Sequence, residues 1–252
     1  MNEIIIHKGA EVQVYTPLTD NLYIRFVSYL DAKPKTIETY TRALRQLFAY
    51  FAAAGITQPH RDDVIAYRES LKQAHKPTTV QNYITAARLF FQWTAQEGIY
   101  PNIAEHIKGA KLDREHKKDY LNAGQVKAVI KAVDRSTLQG KRDYAALVLM
   151  VTGGLRTIEV SRANIGDLRA AGANTVLYIQ GKGKDEKADY VKISEPVEKA
   201  IRAYLKARKE ADQGAPLFAS LSNNNKGQRM TTRAISGLVK AHLTEAGYNS
   251  DR

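Results

Sequence analysis

The chain has 252 residues, a formal net charge of +12 and no cysteine, with an isoelectric point near 9.7. That length allows one large or two smaller domains with cores of their own. The missing thiols exclude disulfides and thiolate metal sites, and the positive balance is that of a protein that meets a polyanion. No apolar run approaches the roughly 18 residues that span a bilayer, and the opening MNEIIIHKGA has too short an apolar core for a signal peptide. The expectation is a cytoplasmic protein with no membrane partner.

Residues 1–15 alternate loosely (Ile4, Ile6, Val12, Val14) around Gly9, which fits either a small hairpin or a tail. From Asp20 a helical pattern runs through Leu22, Tyr23, Phe26, Val27 and Leu30, with Thr19 or Asp20 as its cap. Lys35 to Ala54 is clearer, because Ile37, Tyr40, Leu44, Leu47, Phe48 and Phe51 fall on one stripe and Gly55 ends it. The opposite face carries Thr39, Arg42, Arg45 and Gln46. A third helix, Asp62 to Gln73, sets Val64, Ile65, Arg68 and Leu71 in register, and Lys76 and Pro77 break it. Thr78 or Thr79 is expected to cap a fourth helix with the stripe Val80, Tyr83, Ile84, Ala87, Phe90 and Phe91, ending near Gly98. Trp93 reads as packing.

Four helices joined by short turns make a compact all-α domain over residues 16–100. Pro101 to Lys118 then changes character, with Lys108, Lys111, Arg114, Lys117 and Lys118 set against Asp113 and Glu115. That composition reads as a basic linker over residues 101–120. Such a linker can follow phosphates while the lobes on either side close as a clamp.

The second domain, residues 121–252, opens with Asn122 as N-cap of a helix through Val133. A helix from Lys141 to Val151 runs into Gly153 and Gly154, a breaker pair that permits a tight turn or positive φ. Leu155 and Arg156 follow, then a new apolar period at Ile158, Val160 and Ile165. This fixes a guanidinium where one helix stops and the next starts, a place suited to an anion. Downstream, TVLYIQ (Thr175–Gln180) and ADYVKI (Ala188–Ile193) flank GKGKDEK (Gly181–Lys187) and read as a hairpin. The segment is not a nucleotide-binding P-loop, which needs G-x-x-x-x-G-K-[S/T]. A helix from Glu195 to Lys209 carries Pro196 in its first turn, Ala215–Leu221 is a short apolar segment, Ser222–Gln228 a polar loop and Thr231–Ala246 the last helix. Hydroxyls and a guanidinium at Thr231, Thr232 and Arg233 suit a phosphate at that helix start, or plain capping.

These motifs resemble the tyrosine recombinases, or phage-type integrases. G-L-R-T-I-E at 154–159 matches their first catalytic box, T-G-x-R-x-x-E, except that Gly153 stands where Thr is common and Thr152 lies one step earlier. Gly181, Lys182, Gly183 and Lys184 match the context of their catalytic lysine. The resemblance, over roughly Leu18 to Gly247, implies a mainly α fold with a small antiparallel β-sheet. It implies a SAM-like core-binding domain followed by a recombinase catalytic domain that is C-terminally incomplete. It also implies site-specific recombination or integration of a mobile element, with no cofactor and no metal. Double-stranded DNA is the implied partner, with strands exchanged through a 3′-phosphotyrosine in a homotetramer on paired sites.

Breaking a phosphodiester requires stabilised charge on the non-bridging oxygens and a proton for the departing 5′-oxygen. A rigid Arg suits the first task and a Lys of lowered pKa the second. By resemblance Arg156 is the clamp and Lys182 the acid, while Glu159, on the same helical face, either orients Arg156 or makes an ordinary i, i+3 ion pair with it. DNA contacts are expected at Arg42, Arg45, Thr79, Asn82, Arg88, Lys108, Lys111, Lys117, Lys184, Thr231 and Arg233. The family also uses an H-x-x-R box and a later nucleophilic Tyr. None of the six histidines is followed by Arg three places on, and Tyr248 lies too early, so the expectation is a chain cut before the second half of its site. Two other readings stand beside this one: a non-enzymatic architectural or competitor DNA-binding protein, and a basic RNA-binding protein.

Overall fold

A computed structural model describes residues 4–8, 11–15, 20–112 and 120–248, with side chains from residue 24. The chain divides into two compact units, Met1–Glu115 and His116–Arg252. Among the described residues no helix is long and apolar enough to cross a membrane.

In the first unit, strands β1 (Ile4–Lys8) and β2 (Glu11–Tyr15) pair antiparallel. Four helices follow: α1 (Asp20–Tyr29), α2 (Pro34–Ala53), α3 (Arg61–Ala74) and α4 (Pro77–Gln96). Phe26, Leu44, Leu47, Phe51, Val64, Leu71, Val80, Ile84, Phe90 and Trp93 form their common core, so the expected stripes face inward. Two differences are instructive. Helix α3 ends before Lys76 and Pro77 as expected, but Pro77 itself opens α4, with Lys76 as the flanking residue, because an N–H missing from the first turn leaves no hydrogen bond unmade. Thr79 is therefore inside the helix rather than its cap.

The second difference is in the stretch expected to start a linker. Ala104 and Ile107 are fully enclosed in the first core, while Arg61 donates to the Glu105 carbonyl and Arg68 to the Lys108 carbonyl at 3.0 Å. A few apolar residues inside a charged run suffice to pin residues 101–112 when helical arginines take up the free carbonyls. Residues 113–119, and Lys117 with them, lie outside the described residues.

The second unit starts with α5 (Ala123–Ala132), whose cap Asn122 accepts from the Gln125 N–H while Gln125 accepts from the Asn122 N–H, both at 2.9 Å. Helix α6 (Leu138–Gly153) begins three residues before the expected Lys141, because Thr137 caps it by accepting from the Gly140 N–H at 3.0 Å. Gly154 closes it at φ +62°, a conformation that glycine adopts without a Cβ clash. Next come α7 (Thr157–Arg162) and a 3-10 turn at Ile165–Asp167, so Ile165 lies beyond the helix its spacing suggested. The sheet has three strands in the order β3 (Leu168–Ala171), β4 (Asn174–Ile179) and β5 (Asp189–Ile193), all antiparallel. Strand β3 was not expected: its LRAA sequence has no alternating pattern, and it is a strand only because β4 pairs with it. Helices α8 (Glu195–Arg208) and α9 (Thr232–Glu245) complete the unit. Leu149, Val160, Leu177, Ile193, Ile201, Leu217, Phe218 and Ile235 lie in its core.

Candidate functional site

Helix α7 is the centre around which the expected residues of the second unit gather. Arg156 stands at its start. The Arg156 N–H donates to Glu159 Oε2 at 2.7 Å, and its Nη1 donates to Glu159 Oε1 at 3.0 Å. The Glu159 side chain is 4% exposed and that of Arg156 is 71% exposed. One buried carboxylate thus holds both the backbone and the head of the arginine, and only one of the five guanidinium N–H donors is spent on it. The remaining fork faces outward, rigid and charged.

The second candidate cation rides a tight turn. The Lys184 N–H donates to the Gly181 carbonyl at 3.2 Å, with Lys182 at the second position and Gly183 at the third at φ +83°. A turn with positive φ at its third residue is the kind glycine makes easy. The turn sits against α7, since Arg162 Nη1 donates to the Gly181 carbonyl at 3.1 Å. A methyl group placed on Gly181 would lie 3.8 Å from Glu159 Oε1. Lys182 itself is exposed.

The other lysines of this loop differ. Lys184 Nζ pairs with Asp189 Oδ2 at 2.5 Å, and Lys187 pairs with the buried carboxylate of Asp167. Among the described residues Lys182 is the lysine of the loop without an ion-pair partner.

The start of α9 is joined to the end of α7. Ser161 Oγ donates to the Met230 carbonyl at 2.7 Å. Arg229 Nη1 donates to the Ser161 carbonyl at 2.7 Å and the Ala163 carbonyl at 3.0 Å, and its Nη2 to Asn164 Oδ1 at 2.5 Å. Thr231 Oγ1 accepts from the Ala234 N–H at 3.1 Å, so its hydroxyl works as a cap, while Arg233 is exposed.

The expected contacts of the first unit do not form one cluster. Arg42 and Arg45 share the exposed face of α2, where Arg42 Nη2 reaches Glu38 Oε1 at 3.1 Å. Thr79 and Asn82 are neighbours on α4, but Arg88 lies roughly two and a half turns beyond Thr79 and so on the opposite side of that helix. The ammonium-bearing side chains of Lys108 and Lys111 are exposed.

Sequence reasoning missed Arg162, Asp167, Lys187 and Arg229. The N-x-x-D spacing of Asn164 and Asp167 was a usable signal, for the Asp167 carboxylate accepts from the Asn164 N–H at 2.6 Å. The others pair across 19 to 68 residues, and local periodicity carries no trace of them. A buried group on α6 and α9 was missed too: Arg142 and Asp143 pair at 2.7 Å, and His242 Nε2 lies 3.4 Å from Asp143 Oδ2.

The Phage integrase family model matches residues 119–252, and the model for the phage integrase N-terminal SAM-like domain matches residues 23–98. Tyrosine recombinase XerC of Pelobacter propionicus is 30% identical over 219 residues, covering 84% of this chain and 69% of its own. The XerH site-specific recombinase bound to difH substrate, in a pre-cleavage complex, superimposes with a TM-score of 0.67 at 19% identity, over 86% of this chain and 65% of that one. A lambda integrase dimer bound to a COC′ core site gives 0.68 at 13% identity, over 92% and 82%. At those identities the two structures show the fold. With both domain models matched in order along its length, the chain belongs to the phage integrase family, the tyrosine recombinases.

Proposed function

We propose that this chain is the DNA-binding and partial catalytic portion of a site-specific recombinase acting on a mobile element. Arg156 clamps the non-bridging oxygens of the scissile phosphate, Glu159 orients it, and Lys182 protonates the departing 5′-oxygen. The observation that carries the reading is the contrast within one loop: Lys184 and Lys187 are neutralised by carboxylates, while Lys182 is exposed at the corner of a turn fixed beside Glu159. Arg42, Arg45, Thr79, Asn82, Arg88, Lys108, Lys111, Lys117, Lys184, Thr231 and Arg233 supply DNA contacts spread over both units. Lys184 exchanges its carboxylate for phosphate on binding. The neighbouring structures of XerH bound to difH substrate and of a lambda integrase dimer bound to a COC′ core site support duplex DNA as partner. In full-length form we expect a homotetramer on paired sites and strand exchange through a 3′-phosphotyrosine.

The 252 residues contain no H-x-x-R sequence. That observation favours a second behaviour for the chain by itself, occupation of DNA without cleavage. The test is a nicked suicide duplex offered to this chain and to a version that includes the nucleophilic tyrosine. We expect a covalent adduct only from the longer version, with Arg156→Ala and Lys182→Ala each lowering cleavage by about a hundredfold or more and duplex affinity far less. No adduct from the longer version refutes the enzymatic reading. Titrations across salt concentration check the binding, since each neutralised phosphate steepens the dependence.

A further inference from the structure

We infer that Arg162 and the Lys187–Asp167 ion pair are positioning residues that hold both legs of the Lys182 turn to the stretch of chain that carries Arg156. The inference rests on the reading of Lys182 given above. On the incoming leg, the Arg162 guanidinium bonds the Gly181 carbonyl, the residue immediately before Lys182. On the outgoing leg, the Lys187 ammonium is drawn onto Asp167, whose side chain is 8% exposed and whose same oxygen accepts from the Asn164 N–H at 2.6 Å. Arg162 ends α7 and Asp167 ends the 3-10 turn that follows, so both anchors belong to one short segment whose other end is Arg156.

The anchors differ in kind from contacts that merely stabilise a hairpin. Strand pairing stops at Ile179 and Asp189, leaving nine residues, 180–188, outside the ladder. An unanchored loop of that length samples many conformations and presents its ammonium anywhere within several ångströms. Inside the loop, Gln180 Nε2 donates to the Lys184 carbonyl at 3.0 Å and Lys184 pairs with Asp189, but these bonds shape the loop without orienting it toward α7. Arg162 and Lys187 each connect it to the Arg156 segment. The Lys187 side chain is only 25% exposed, which keeps its ammonium on its carboxylate rather than on a passing phosphate. Lys187 therefore serves geometry, and Lys182 serves the ligand.

The test uses this chain with its lysines reductively methylated with carbon-13 formaldehyde, the Lys182 signal being assigned by its loss in Lys182→Arg. In the parent chain, adding a duplex oligonucleotide shifts that signal. In Arg162→Ala and in Lys187→Met the amides of Gly183 and Lys184 exchange about tenfold faster without DNA, and the duplex-induced Lys182 shift collapses. Lys187→Arg restores both. Should Lys187→Met fail to fold, Arg162→Ala, which removes one hydrogen bond, carries the experiment. Parent-like exchange and a parent-like Lys182 shift in Arg162→Ala would overturn the inference. Absence of any Lys182 shift in the parent chain would instead overturn the role given to Lys182, while the exchange rates measured without DNA still decide whether the loop is anchored.

Discussion

The two units bury different things. In the first, the described interior is apolar and aromatic: Phe26, Phe90 and Trp93 meet at centroid distances of 5.3 to 5.9 Å, and Thr94 is its one buried polar residue among those described. In the second, Arg142, Asp143, Glu159 and Asp167 are all buried. A unit that only packs helices and displays cations outward needs no internal charge, and hydrophobic burial is sufficient. Two of these buried carboxylates, Glu159 and Asp167, hold Arg156 and Lys187, despite their desolvation.

The comparison can be broken by variants that separate the halves, because Trp93, the sole tryptophan, reports on the first unit only. The largest effect is expected from Asp143→Ala, which strands the buried Arg142 guanidinium. It should cost about 3–5 kcal/mol, read as an earlier urea transition by circular dichroism while the Trp93 fluorescence midpoint stays in place. Equal movement of both signals would show that the units unfold as one body. Leu44→Ala, in the apolar core of the first unit, should cost about 3 kcal/mol and move the fluorescence midpoint instead.

The smallest effect concerns a surface pair of the second unit. The Thr175 hydroxyl and then Arg202 hold the Glu198 carboxyl below its ordinary value, the Thr175 bond measuring 2.6 Å. A depressed carboxylate stabilises the fold above the ordinary carboxylate range, and the contribution is lost as pH falls through the lowered value. Thr175→Val should therefore raise the Glu198 midpoint toward the ordinary one, as followed by carbon-13 carboxyl resonances. An unchanged midpoint would remove the link between β4 and α8 from the account.

What could be read in the sequence followed from how local each cause is. The stripe Leu44, Leu47 and Phe51 is a statement about three turns of one helix, so α2 was legible almost to the residue, and so were the cap Asn122 and the hairpin legs at β4 and β5. Strand β3 was not, since LRAA becomes a strand through its neighbour. The start of α4 was placed late, at a Thr78 or Thr79 cap, because a proline that marks the end of one helix also opens the next. The packing of Ala104 and Ile107 was hidden in a charged run whose carbonyls are satisfied by arginines some 40 residues earlier. Arg156, Glu159 and Lys182 could be named from motif and resemblance, whereas the bonds that place their backbones join residues that no periodicity relates.

Arg229 shows what such a long-range bond entails. Its planar head gathers oxygens from Ser161, Ala163 and Asn164 at once, a grip that a lysine's single ammonium cannot reproduce. Pushing or twisting the entrance of α9 must therefore either tear three bonds together or drag the tail of α7 along. A load applied at Thr231 or Arg233 thus reaches the segment that begins at Arg156 through these bonds.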